Sequence, residues 1–213
     1  MPLTTPTFLS NVITGDESWV YAYDLETKTQ SSQWKSPGSP RPRPKKARQM
    51  RSNIKSMFIS FFDQKGIVHK ECVPPGETVN AAFYVEVTKR LWENVRRKWP
   101  NQWRNNTWLL HHDNVPAHAA LLPQWFLTDN YMTVVPHPPY LPDLAPSDFF
   151  LFPKLKKKLK GRRFQTEEIQ AESQAVLNTL RKNNFQECFK NWYRRWDRCQ
   201  PSEGDYFEGD AGP

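Results

Sequence analysis

The sequence predicts an α/β fold, a mixed sheet covered by helices, with a helical C-terminal part. Three observations carry this. Strand-like apolar runs fill the early chain at Val12-Ile13-Thr14, Trp19 to Tyr23, Ile54 to Phe62 and Ile67 to Val73. Val79, Phe83, Val87, Leu91 and Val95 then recur in four-residue steps, the stripe of an amphipathic helix. Farther on, the short runs Thr107 to His111 and Met132 to Val135 alternate with helical stretches, an order that suits a sheet with helices on its faces.

Taken in order, residues 1–10 read as a frayed lead-in. The first strand region passes through Gly15-Asp16-Glu17. A Pro-rich segment over 36–50 cannot hold a ladder, because proline removes backbone donors, and it reads as a long loop. Asp63-Gln64-Lys65-Gly66 joins the next two strands as a hairpin, and Pro74-Pro75-Gly76 ends the second. Helices are predicted over 79–98, 116–127 and 147–160, with Pro153 expected to kink or restart the last. Glu167 to Arg181 and Phe185 to Trp196 are further helices. The domain expected is thus 11–163, with C-terminal helices over 164–200 packed on it and an acidic tail over 201–213.

The chain has 213 residues and a net charge of +8, and 14% of it is aromatic, which argues against a chain too poor in large side chains to fold. No apolar run approaches the ~20 residues that span a bilayer, and the N-terminus has no signal-peptide pattern. Three widely spaced cysteines, Cys72, Cys188 and Cys199, read as reduced thiols and not as a disulfide framework or a thiolate zinc site. There is no GxSxG elbow and no GxxxxGK[ST] loop, which argues against serine hydrolases and P-loop NTPases. The expectation is a soluble, basic, intracellular protein with no membrane role.

Half of the 30 basic residues fall in two acid-free stretches, Lys35 to Lys55 and Lys154 to Arg163. Together with a looser cluster beside Trp92, Trp99 and Trp103, they point to a polyanion, most simply nucleic acid. The residues read as DNA contacts are Arg41, Arg43, Lys45, Lys46 and Arg48, then Lys156, Lys157, Lys160, Arg162 and Arg163. Any one run alone would suit a solvated face or a nuclear-import signal. The three Trp read as core and loop packing more than as base-stacking platforms.

Three acids occupy suggestive places. Asp16 lies in the first strand region, Asp113 directly follows a short buried strand, and Asp148 opens the helix after the last strand. Such positions converge on one edge of an α/β sheet, where carboxylates can hold Mg²⁺ against a phosphodiester. Each acid also has a plainer reading, as a helix cap, a first-turn residue or a turn residue. Asp143, in Pro-Asp-Leu-Ala-Pro, reads as a turn residue.

Thr14-Gly15-Asp16-Glu17-Ser18-Trp19, then Leu110 to Asn114 with Pro116-Ala117-His118, then Pro138 to Asp148, closely resemble mariner-type transposases of the Tc1/mariner superfamily. The resemblance spans essentially residues 9–210. In that family 34 residues separate the second and third acids, as they separate Asp113 and Asp148 here, which selects Asp148 over Asp143. The resemblance implies an RNase H-like catalytic domain, a triad at Asp16, Asp113 and Asp148, and two Mg²⁺ or Mn²⁺ ions. It also implies DNA strand cleavage and strand transfer in the nucleus. The 36–50 loop matches one that reaches toward the partner of a homodimer in relatives. Relatives carry two N-terminal helix-turn-helix units, so the expectation is a catalytic fragment without its sequence reader. The alternative is a domesticated or decayed remnant that binds DNA or dimerises without catalysis.

Of the histidines, His111 and His112 read as core residues or as side chains orienting Asp113, and Asn114 and His118 lie close enough in sequence to do the same. Glu17 points away from Asp16 on a strand, which leaves one acid of that strand for a metal. Leu141, where relatives usually carry Ser, puts an apolar group on a turn beside the site.

Overall fold

The computed structural model describes residues 6–25, 52–139 and 141–199. The loop expected over 36–50, with Arg41, Arg43, Lys45, Lys46 and Arg48, and the acidic tail lie outside the described residues. The chain opens with α1 (Pro6–Leu9) and β1 (Val12–Tyr21), then β2 (Lys55–Phe62) and β3 (Ile67–Cys72). Helices α2 (Ala81–Lys98) and α3 (Pro100–Arg104) follow, then β4 (Leu109–His111), α4 (Pro116–Ala119), α5 (Leu121–Asp129) and β5 (Thr133–Val135). A 3₁₀ turn (Pro142–Leu144), a wide π-helical turn (Ser147–Leu151), α6 (Phe152–Leu159), α7 (Thr166–Asn178) and α8 (Lys182–Cys199) complete it.

The sheet order is β3-β2-β1-β4-β5. β1 pairs antiparallel with β2, and β2 with β3, while β4 runs parallel to β1 and β5 parallel to β4. This is the mixed, helix-covered sheet that the sequence predicts. Alternation along β1 divides its side chains between two cores. Val12 and Val20 join Phe58, Phe62 and the buried faces of α6, α7 and α8. Ile13 joins Ile59, Phe61, Leu110 and the buried face of α2. A strand buried on both faces is fixed in register, because a one-residue slip would exchange the two sets.

Local chemistry sets the boundaries. Asn80 caps α2, its side chain accepting from the Phe83 N–H at 2.9 Å, and Arg96, Arg97 and Lys98 complement the dipole at the far end. In the hairpin, Asp63 Oδ1 accepts from the Lys65 and Gly66 N–H groups at 2.5 and 2.7 Å, and Gly66 takes the positive φ of 145°. Pro153 falls in the first turn of α6, where a missing N–H costs nothing, so the helix restarts after the wide turn.

Two expectations need correction. The lead-in is not wholly frayed: Pro6–Leu9 is helical and Leu9 is buried in the core. The helix expected over 116–127 is two helices, because Pro123 can neither donate to the Ala119 carbonyl nor tolerate it in place. Ala120 is extended there, and Gln124 Nε2 donates to the freed Ala119 oxygen at 3.0 Å. On the turn before Asp148, Leu141 packs with Leu144, Cys199 and Trp196, so it also braces α8.

α2 is locked to β3 by a charged fork. Arg90 Nε and Nη2 donate to Glu71 Oε2 and Oε1 at 2.7 and 2.8 Å, and His69 Nε2 meets the same carboxylate at 3.1 Å. Burial works against this charge, but the His69 and Arg90 contacts outweigh it and hold the Glu71 carboxyl down at about 2. A depressed carboxyl stabilises above its unfolded value of ~4.3 and loses that contribution as pH falls through the folded one. Arg90→Met should cost about 1 kcal/mol at neutral pH, a figure discounted for the half-exposed guanidinium. Urea unfolding should show the gap to wild type closing between pH about 4 and about 2.

Candidate active site

Asp16 sits in the middle of β1 opposite Ser60 of β2, on the face that looks toward α6. The next outward residue on that face, Ser18, accepts a hydrogen bond from Lys156 of α6 at 2.7 Å. Glu17 looks to the other face, toward α2 and α4. Asp113 lies two residues beyond the C-terminal end of β4, and Asp148 is carried by the wide turn before α6. A π-type turn re-aims its side chains relative to an α-helix and recurs at functional sites.

The acids feel one another's charge. Burial, then the charges of Asp148, Asp113 and Glu17, push the Asp16 carboxyl well above the usual carboxylate range, against a 2.7 Å hydrogen bond from the Glu17 N–H. Asp148 is exposed as a residue, yet its setting desolvates it enough, with the Asp113 charge, to raise it as well. Lys156 works in the opposite sense on Asp148. Asp113 is lowered: burial would raise it, but the contact with His118 wins. Among the described residues, no three His, Cys, Asp or Glu side chains are already drawn together tightly enough to grip one ion.

His118 is the residue the sequence spacing undersold. Its Nδ1 lies 2.7 Å from Asp113 Oδ1 and its Nε2 3.3 Å from Glu17 Oε2. These are ion-pair distances without the alignment of full hydrogen bonds. Burial disfavours the imidazolium, but the two carboxylates outweigh it and hold His118 up at about 9. Strand alternation, the argument that set Glu17 aside from Asp16, is what brings Glu17 to His118.

The neighbouring histidines are structural. His111 Nδ1 hydrogen-bonds Thr14 Oγ1 at 2.9 Å and its Nε2 meets His137 Nδ1 at 3.2 Å. His112 Nδ1 hydrogen-bonds the Tyr84 hydroxyl at 2.7 Å. Burial, with neighbouring histidines, drives both down to about 3, so they are neutral. Asn114 donates to the His137 carbonyl at 2.6 Å, tying the loops after β4 and β5 together without touching the Asp113 carboxylate.

Of the basic residues, Lys156 reaches Ser18 beside Asp16 and its charge is felt by Asp148, and Lys157 beside it is exposed. Lys160 is half-buried, Arg162 pairs with Glu172 at 2.8 Å, and Arg163 lies over the Tyr23 ring at 5.3 Å. Trp99 and Trp108 are buried in the core beneath α2, and Trp103 packs against it. Among the described residues, no helix is long and apolar enough to cross a membrane.

Residues 24–105 match a family model described as transposase (partial DDE domain). The mariner Mos1 transposase of Drosophila mauritiana is 32% identical over 203 residues, which cover 94% of this chain and 57% of that relative. Mos1 paired-end complexes with Mg and with Mn superpose with TM-scores of 0.82 and 0.80, at 33% and 31% identity, over 94% and 95% of this chain and 58% of theirs. The catalytic domain of Mos1 alone gives 0.76 at 28% identity, over 95% of this chain and 87% of that one. In sequence and in its RNase H-like fold, this chain is similar over nearly its whole length to the catalytic domain of a mariner-type transposase.

Proposed function

We propose that this domain cleaves and joins DNA strands in the nucleus, with Asp16, Asp113 and Asp148 as the catalytic acids. The observation that carries the reading is the convergence of three carboxylates from three separate elements: they lie within reach of one another's charge, and Asp16 is pushed up first by burial and then by the charges of Asp148 and Asp113. Such a set is unfavourable alone and suits a divalent cation. All-oxygen carboxylate donors match Mg²⁺ or Mn²⁺. Asp16, Asp113 and Asp148 would hold the metal, for which the family pattern implies two ions, and the bound metal would supply Lewis acidity at the scissile phosphate.

The chain's own residues do the rest. His118 holds the Asp113 carboxylate from behind, and Lys156, anchored on Ser18, puts a positive charge near Asp148, where it would meet a DNA phosphate. Lys157 and Lys160 extend that charge along α6 and the turn after it. The DNA bound by Mos1 in its paired-end complex gives the polyanion that this surface would take.

The test is cleavage of blunt and pre-nicked duplexes by the purified chain with Mg²⁺, Mn²⁺ or EDTA. Strand cleavage should require metal and fall by about 10³-fold or more in Asp148→Ala. Cleavage that persists in EDTA, or in that variant, would contradict the reading.

A further inference from the structure

We infer that Glu17, acting through His118, is a positioning residue that sets the Asp113 carboxylate for metal binding from the opposite face of the sheet; this rests on the metal site proposed above.

The geometry fixes the imidazole before it fixes Asp113. The His118 ring is buried, with its centroid 3.8 Å from that of Tyr84 and 5.0 Å from that of His112, the latter nearly parallel at 22°. Tyr84 and His112 are themselves stacked at 11° and hydrogen-bonded to each other, so three rings form one block. A ring held in that block has one freedom left, which carboxylate each nitrogen meets. Nδ1 meets Asp113 and Nε2 meets Glu17. Glu17 is anchored by the β1 ladder, paired with Ile59 of β2, so its position is set by the sheet.

The consequence falls on one oxygen. His118 and the Val115 N–H, at 3.3 Å, both contact Asp113 Oδ1. That leaves Oδ2 as the oxygen for a ligand. β1 thus serves the site twice, through Asp16 on one face and through Glu17 on the other. Orienting partners behind metal ligands typically change metal affinity by about 10–100-fold when removed.

Substitution at His118 can separate its two nitrogens. An Asn amide nitrogen sits near the place of Nδ1 and keeps the Asp113 contact, whereas a Gln amide nitrogen sits near Nε2 and keeps only Glu17. Mn²⁺ affinity, read from the electron paramagnetic resonance signal of the free ion, should weaken about 10–100-fold in His118→Gln but only a few-fold in His118→Asn. Glu17→Ala should weaken it about 3–10-fold in the wild-type background and less than twofold in the His118→Asn background, since residues acting in series do not add. Glu17 is partly exposed, so this arm stays readable if the position-118 variants fold poorly. Equal losses in Asn and Gln, unchanged or tighter binding in His118→Gln, or no change in Glu17→Ala would overturn the inference. Asp113→Ala is the control that separates the two levels. If it binds Mn²⁺ like wild type, the metal site itself is wrong and the inference falls with it. If it loses Mn²⁺ while His118→Gln and Glu17→Ala do not, only the inference falls.

Discussion

Asp16→Asn should melt at a higher temperature than the wild type in EDTA and should have lost metal-dependent DNA cleavage. The Asp16 carboxyl is raised by burial and by the charges of Asp148 and Asp113. A raised carboxyl makes the folded state bind its proton more tightly than the unfolded state, whose value is ~3.9. Below that value both states are protonated and the group is neutral to stability. As pH rises past it the unfolded chain ionises first, stability falls, and the full cost is present above the folded value. Asn keeps the shape and an oxygen to accept the Glu17 N–H, but removes the charge. The gain should be read as a higher melting midpoint, at roughly 2–4 °C for each kcal/mol in a chain of this size. Near pH ~4 the gap between variant and wild type should close. Added Mg²⁺ should raise the wild-type midpoint, since a ligand bound only by the folded state stabilises it, and should leave Asp16→Asn unmoved. Cleavage should drop by about 10³-fold or more. A variant less stable than wild type in EDTA would mean that the carboxylate is supported by the fold and not strained by it.

What was legible in the sequence is what depends on near neighbours. The hairpin at Asp63 to Gly66 and the four-residue stripe of α2 follow from residues a few positions apart, and both appear as expected. Placing Asp113 after a buried strand needed only the run Trp108 to His111, although the strand itself begins at Leu109. Spacing could not choose between Asp143 and Asp148; family resemblance did. The structure adds that Asp143 is engaged elsewhere, its backbone and side-chain oxygens meeting Arg195 Nη1 at 3.2 and 3.5 Å.

The illegible part is non-local. Whether Glu17 meets His118 depends on how α4 packs against β1, two segments about a hundred residues apart that no periodicity links. Leu141 looks idle in its turn because its partners Trp196 and Cys199 arrive at the end of the chain. The break at Ala120 is readable in principle, since Pro123 blocks the carbonyl four residues before it and leaves that carbonyl in need of another partner.

Gly15→Ala should be among the most damaging single-methyl changes in the protein, and its cause is a ring and not the backbone. Gly15 pairs with Phe61 across β1 and β2, and the Phe61 side chain, buried in the α2-side core, lies over the glycine. A Cβ built at residue 15 would come within 2.6 Å of Phe61 Cγ and closer still to Cδ1 and Cε1. Moving the ring would disturb the core it shares with Ile59, Val68 and the face of α2. Overpacking of this kind costs about 1–3 kcal/mol, a large part of a typical ~5–15 kcal/mol stability. The strain should also shift β1 where Asp16 and Glu17 follow, so Mn²⁺ binding should weaken together with the melting midpoint. Phe61→Ala alone should be costly through its cavity, by about 3–5 kcal/mol. In Gly15→Ala/Phe61→Ala the clash is gone and the new methyl fills part of the void, so the double variant should be at least about 1 kcal/mol more stable than the sum of the singles implies. Thermal and urea unfolding of the four proteins would decide it: strict additivity would mean that the ring does not dictate glycine at position 15.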